Sequence, residues 1–190
     1  DLWGKSSLMR VNQHDPGVIY RTLDVGAQGI AVPHVNTAEE ANAVVDAAKF
    51  GPIGHRGSAT GRQGIGVADY FAKANDETMI VVLIEDILAI DNLDSILAVD
   101  QIDVFFIAPG DLAQSMGHVG QVGHPEVQAT IDRAIQTITG TGRVAGTVAT
   151  DSTVEEVIEK GVRLLGINWP VWLAAGAKGY LEKVARATSP

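Results

Sequence analysis

Met79-Ile-Val-Val-Leu-Ile84 runs straight into Glu85-Asp86, and after a helix-like segment at 91–99 the chain returns to Val104-Phe-Phe-Ile-Ala-Pro-Gly-Asp111. Both apolar runs have strand length. Neither alternates polar with apolar residues, which is the pattern of a strand covered on both faces. A strand, a helix and a second buried strand require a parallel crossover, which is right-handed in nearly every case. The pattern repeats on either side, with similar runs at 7–11, 29–33, 144–149 and 164–169. Helical spacing is read at 15–25, 37–50, 91–99, 125–139, 152–160 and 172–188. Thr37 and Glu40 form a capping-box pattern at the start of the second of these. Gly26, Gly140, Gly142 and Gly161 stand where helix C-caps belong.

Six strand–helix units predict an α/β fold with a parallel sheet, closed either as an open doubly wound sheet or as a (β/α)8 barrel of the TIM type. A complete barrel takes ~250 residues. The 190 residues here accommodate six units, so a barrel would lack about two. No linker or low-complexity stretch divides the chain, and residues 1–190 read as a single domain. The Gly-rich segment 51–66 reads as a mobile lid or substrate loop. Its Gly64-Ile-Gly66 does not follow a strand directly, so a dinucleotide-binding reading is weak.

Composition narrows the function. A net charge of -9 leaves no basic surplus for a nucleic-acid backbone. The absence of cysteine excludes disulfides, thiolate metal sites and Cys nucleophiles. No apolar run approaches the roughly 20 residues of a membrane helix, and no signal peptide is visible. A soluble, cytoplasmic protein is expected. The chain begins at Asp1 rather than Met, in mid-pattern, which points to a fragment or a processed chain.

In parallel α/β folds ligands gather at the C-terminal ends of the strands. Those ends carry Arg10, Pro33-His34, Glu85-Asp86, Ala108-Pro109-Gly110-Asp111 and Asn168-Trp169. Glu85 and Asp111 end consecutive strands. Two carboxylates so placed share a cation or push one pKa upward, and oxygen-only ligands suit Mg²⁺ or Mn²⁺. The alternative is a pair of ordinary strand-end acids that cap helices or meet basic residues. Gly110 permits close backbone approach, so that N–H groups there cradle a carboxylate, or the segment is a plain turn. Arg10 on an apolar strand either grips a carboxylate or keto oxygen or makes a structural pair. Of the five histidines only His34 has site-like placement. His14, His55, His118 and His124 show no metal-ligand spacing with one another. Trp169 and Trp172 read as packing residues.

Gly26-Ala-Gln-Gly29, Val32-Pro33-His34-Val35 and Thr37-Ala-Glu-Glu40-Ala41 resemble the metal-dependent class II pyruvate aldolases. This family includes 4-hydroxy-2-oxoheptanedioate aldolase and 2-dehydro-3-deoxyglucarate aldolase, within the citrate lyase beta-like superfamily. The resemblance continues through Gly51-Pro-Ile-Gly-His-Arg-Gly57, Ile84-Glu85, Asp91-Asn-Leu-Asp94, Ile107-Ala-Pro-Gly-Asp-Leu112, Gly123-His-Pro-Glu-Val127 and Ala145-Gly146. It covers the chain from Arg10 to about Trp172.

The resemblance implies a (β/α)8 barrel, assembled as a homo-oligomer (a hexamer) with exchanged C-terminal helices. It implies that Glu85 and Asp111 bind a divalent metal (Mg²⁺, Mn²⁺ or Co²⁺), that Arg10 contacts the pyruvate keto oxygen, and that the backbone of Ala108, Pro109, Gly110 and Asp111 holds the pyruvate carboxylate. The implied reaction cleaves a 4-hydroxy-2-oxo acid to pyruvate and an aldehyde through a metal-stabilised enolate. No Schiff-base lysine is needed, and no Lys stands on the six strands.

Four features depart from the family pattern. Its catalytic histidine, upstream of the matching arginine, has no counterpart, and neither do two N-terminal strand–helix units. Leu83 replaces a polar residue, Ala108-Pro-Gly-Asp111 replaces Gly-Pro-Ala-Asp, and Asn168-Trp169 replaces a smaller pair. Two other readings remain. One is a CoA-ester lyase of the citrate lyase beta type, which lacks a visible basic cluster for the CoA phosphates. The other is a non-catalytic barrel remnant that binds pyruvate-like acids.

Overall fold

The computed structural model describes residues 4–58 and 61–188. Six strands alternate with helices: β1 (Leu8–Arg10), α1 (Pro16–Asp24), β2 (Gly29–Val32), α2 (Ala38–Ala48), a 3-10 turn (Arg62–Gly64), α3 (Tyr70–Glu77), β3 (Met79–Ile84), α4 (Ile87–Asp91), α5 (Leu93–Leu97), β4 (Val104–Ile107), α6 (Pro109–Ser115), α7 (Pro125–Gly140), β5 (Ala145–Val148), α8 (Val154–Glu159), β6 (Leu164–Gly166) and α9 (Trp169–Thr188). The sheet order is β1-β2-β3-β4-β5-β6, and every neighbouring pair is parallel. A doubly wound sheet reverses its strand order at a switch point. This sheet never does, so of the two expected closures it is the barrel-type winding that forms, as a half-barrel.

The register divides the sheet into two faces. Ile30, Ile80 and the row Val82–Phe105–Ala145 point one way and join the core under the helices, with Ile19, Leu23, Val44, Ile96, Ile135 and Ile138. The intervening residues Ala31, Val81, Leu83, Val104 and Phe106 point the other way. On that inner face the Phe106 ring lies over Gly146 and Gly166, where a Cβ would meet it at 2.6 and 2.8 Å. Large and small side chains thus interlock across β4, β5 and β6.

Local sequence accounts for several helix boundaries. Asp15 caps α1 by accepting the Val18 N–H at 3.0 Å, and Pro16 starts the helix. The capping box at Thr37 and Glu40 forms in both directions. The helix expected at 91–99 forms as α5 (Leu93–Leu97), α4 (Ile87–Asp91) precedes it and was not expected, and Asn92 between them leaves helical geometry and donates its side-chain amide to Asn36 O at 2.9 Å. Pro109 begins α6 rather than ending β4, as its fixed φ favours the first helical position. Helix α3 was not expected from the sequence; it buries only Ala74, too thin a stripe to read. Trp169 starts α9 instead of closing β6, and Trp169 and Trp172 are exposed rather than packed.

The described residues of the segment 51–66 do not form a lid over the strand ends. Its first part is pinned to α2 by His55 N–H on Asp46 O and Arg56 N–H on Lys49 O, and Gln63 donates to Ala27 O just before β2. It therefore borders the N-terminal edge of the sheet, opposite Glu85. Positions 59 and 60 lie outside the described residues.

Candidate active site

Glu85 follows β3 directly, and strand alternation turns it to the inner face with Val81 and Leu83. It is 1% exposed. Its Oε1 accepts the His34 backbone N–H at 2.8 Å, and its Oε2 is buried without a hydrogen-bond partner. His34 follows β2 with φ of +54, an uncommon backbone for a non-glycine residue, and at this turn its amide faces across to β3. Its ring Nδ1 lies 3.1 Å from Asp86 Oδ2 and 3.3 Å from Glu85 Oε1. The sequence marked His34 as site-like by its strand-end position. Its grip on Glu85, 51 residues away, comes from the β2–β3 register alone.

Burial pushes the Glu85 carboxyl above its usual range. The His34 N–H and ring charge oppose this, the nearby Asp111 charge adds to it, and the Arg10 charge opposes it. His34 is raised, first by its hydrogen bond to Asp86; burial opposes that, and the charges of Glu85, Asp86 and Asp111 support it. Arg10, Asp111 and His34 are thus brought within electrostatic reach of Glu85, and Asp86 acts on His34. Arg10 ends β1 and is exposed. Asp111 sits in the first turn of α6, also exposed. That helix is fastened to the turn after Glu85, because Ile87 N–H donates to Ser115 Oγ at 2.9 Å and Ala108 N–H to Ile84 O at 3.2 Å. A Cβ built on Gly110 meets nothing within 4 Å, so the first turn of α6 has open space beside it.

An unpartnered carboxylate oxygen in a buried site is costly as an anion. A second carboxylate nearby makes the site one that a hard divalent cation fits, with oxygen ligands only. Glu85 and Asp111 are the residues that would hold such an ion.

His118 and His124, six positions apart and so without ligand spacing in the sequence, are brought together by the fold. The seven-residue loop 118–124 folds back and stacks their rings with centroids 3.7 Å apart. The sequence signal was hidden because the pair is neither i,i+3 nor i,i+4. A cavity of about 520 Å³, lined by Gln28, Arg62, Tyr70 and Lys73 among others, lies at the N-terminal edge of the sheet, away from Glu85.

Residues 3–166 match the HpcH/HpaI aldolase/citrate lyase family. The chain is 42% identical over 165 residues to a hydroxypyruvate/pyruvate aldolase of Cupriavidus necator, covering 84% of this chain and 61% of that protein. It is 40% identical over 159 residues to a 2-keto-3-deoxy-L-rhamnonate aldolase of Klebsiella pneumoniae, covering 81% and 59%. It therefore spans about three-fifths of these relatives' length. The crystal structure of an HpcH/HpaI aldolase from Desulfitobacterium hafniense superposes with a TM-score of 0.85 at 30% identity, over 98% of this chain and 74% of that one. In sequence and in the winding of its sheet, the chain belongs to the HpcH/HpaI aldolase/citrate lyase family.

Proposed function

We propose that this chain carries the metal- and 2-oxo-acid-binding part of a class II pyruvate aldolase, built on six units of a (β/α)8 barrel. The reaction would cleave a 4-hydroxy-2-oxo acid to pyruvate and an aldehyde. The observation that carries this reading is Glu85 Oε2, a buried and unpartnered carboxylate oxygen at a strand end within reach of the Asp111 and Arg10 charges. The relatives named as aldolases support it.

Glu85 and Asp111 would hold Mg²⁺, Mn²⁺ or Co²⁺, and the bound ion supplies Lewis-acid polarisation of the 2-oxo acid. His34 N–H holds Glu85 Oε1 and leaves Oε2 without a partner. The Arg10 guanidinium donates a charge-assisted hydrogen bond to the keto oxygen as negative charge develops there. The open first turn of α6, from Ala108 to Asp111, receives the carboxylate.

Calorimetric titration of Mn²⁺, with and without oxalate, tests the reading. Mn²⁺ binds, oxalate tightens it, and both effects vanish in Glu85→Gln. Mn²⁺ affinity unchanged from the wild type in both Glu85→Gln and Asp111→Asn overturns the assignment.

A further inference from the structure

His118, His124 and Glu126 each offer a ligand atom, and the three atoms lie within 4.8 Å of one another. Among the described residues this is the one place where three such groups converge. We infer that the α6–α7 loop holds a second divalent-metal site, built for a borderline transition ion such as Zn²⁺ and chemically distinct from the oxygen-only pair at Glu85 and Asp111.

The cluster is set by the backbone. Helix α6 ends at Ser115, Gly117 with φ of +83 reverses the chain, and His118 N–H returns to Ala113 O at 2.7 Å. Gln121 N–H then bonds His118 O, and His124 N–H bonds Gln121 O, both at 2.9 Å. Gln128 closes the loop from α7 by donating its side-chain amide to Val122 O at 2.8 Å. Pro125 occupies the first position of α7 and places Glu126 in its first turn. Both imidazoles are half-buried and stacked, while Glu126 is exposed.

The spacing suits one shared ion. With metal–ligand bonds of about 2.0–2.2 Å, tetrahedral ligands stand roughly 3.3 Å apart. His118 Nε2 and Glu126 Oε2 are already 3.1 Å apart. Since no two of the three atoms are more than 4.8 Å apart, the widest gap closes by at most about 1.5 Å, within reach of side-chain rotation. His124 gives up only a long bond for this, its Nδ1 accepting the Glu126 N–H at 3.3 Å. Two imidazoles and one carboxylate favour Zn²⁺, Ni²⁺ or Cu²⁺ over Mg²⁺, and a water would complete four-coordination. The ion would tie the end of α6, the helix that carries Asp111, to the start of α7.

The test uses the full chain carrying Glu85→Gln and Asp111→Asn, so that the first site is silent and the proposed function is not at issue. Titration of the chelator-stripped protein with Zn²⁺ is expected to show about one equivalent, undisturbed by excess Mg²⁺. Co²⁺ in its place gives a visible absorption band of a four-coordinate ion. Adding His124→Gln, or the surface change Glu126→Gln, weakens Zn²⁺ roughly a hundredfold and removes the band, with the circular dichroism of the helices unchanged. Failure of the parent protein to bind Zn²⁺ overturns the site. So does unchanged Zn²⁺ affinity in both variants.

Discussion

Replacing Glu85 by Gln separates two properties that the buried carboxylate combines. Its folded-state pKa is raised by burial, so the native chain holds that proton more tightly than the unfolded chain does. The associated stability is full below the unfolded carboxylate pKa and is lost as pH rises through the folded value. In the metal-free protein, Glu85→Gln should therefore raise the melting temperature at pH 7.5 and change it less at pH 4.5. With saturating Mn²⁺ the order inverts, because only the wild type gains binding free energy. Melts in chelator and in Mn²⁺ at the two pH values decide this. A lower melting temperature of the variant in chelator at both pH values would contradict it. Asp111 is exposed, so Asp111→Asn should alter stability by no more than about 0.5 kcal/mol. Its Mn²⁺ affinity, read by calorimetry, should fall about a hundredfold because one charged ligand is lost.

Among the elements, two glycines on neighbouring strand–helix units divide a packed position from an open one. Gly146 in β5 lies under the Phe106 ring of β4, and an added Cβ would stand 2.6 Å from ring carbon Cδ2. Gly146→Ala should cost about 1–3 kcal/mol, as overpacking does, measured by urea unfolding. Gly110 in α6 has open space around it. Gly110→Ala should leave the unfolding midpoint near that of the wild type. Because alanine stands at this position in the family pattern, the variant should keep oxalate binding to the Mn²⁺-loaded protein. Unfolding curves and oxalate titrations on both variants test the division. Comparable loss of stability in the two would mean that the α6 turn is a packing element.

The half-barrel leaves both sheet edges unpaired among the described residues, at β1 and β6. All three residues of β1 are exposed, and α9 buries none of its residues. Trp169, Leu173, Tyr180 and Leu181 are each more than 60% exposed. Unpaired edges and exposed apolar side chains promote association. The chain should sediment above its 20.0 kDa monomer mass at micromolar concentration. With a net charge of -9 on each copy, raising salt should strengthen this association by screening the repulsion. Sedimentation velocity at low and high salt measures both effects. A monodisperse monomer under both conditions would refute them.

By itself the sequence determined what depends on neighbours along the chain. The six strands were legible because buried parallel strands are continuous apolar runs, and the Thr37–Glu40 capping box because it spans three residues. Glu85 and Asp111 stood out as acids at strand ends. Helices α3, α4 and α6 were not legible, because α3 buries too little to show a period, α4 has only five residues, and α6 begins at a proline that equally ends a strand. Only the tertiary structure decided the winding, since one-way and doubly wound sheets share the same strand–helix alternation. It alone set the His34 N–H against Glu85 and stacked His118 on His124. Those contacts depend on strand register and on a loop that folds back, and neither leaves a periodic trace in the residues.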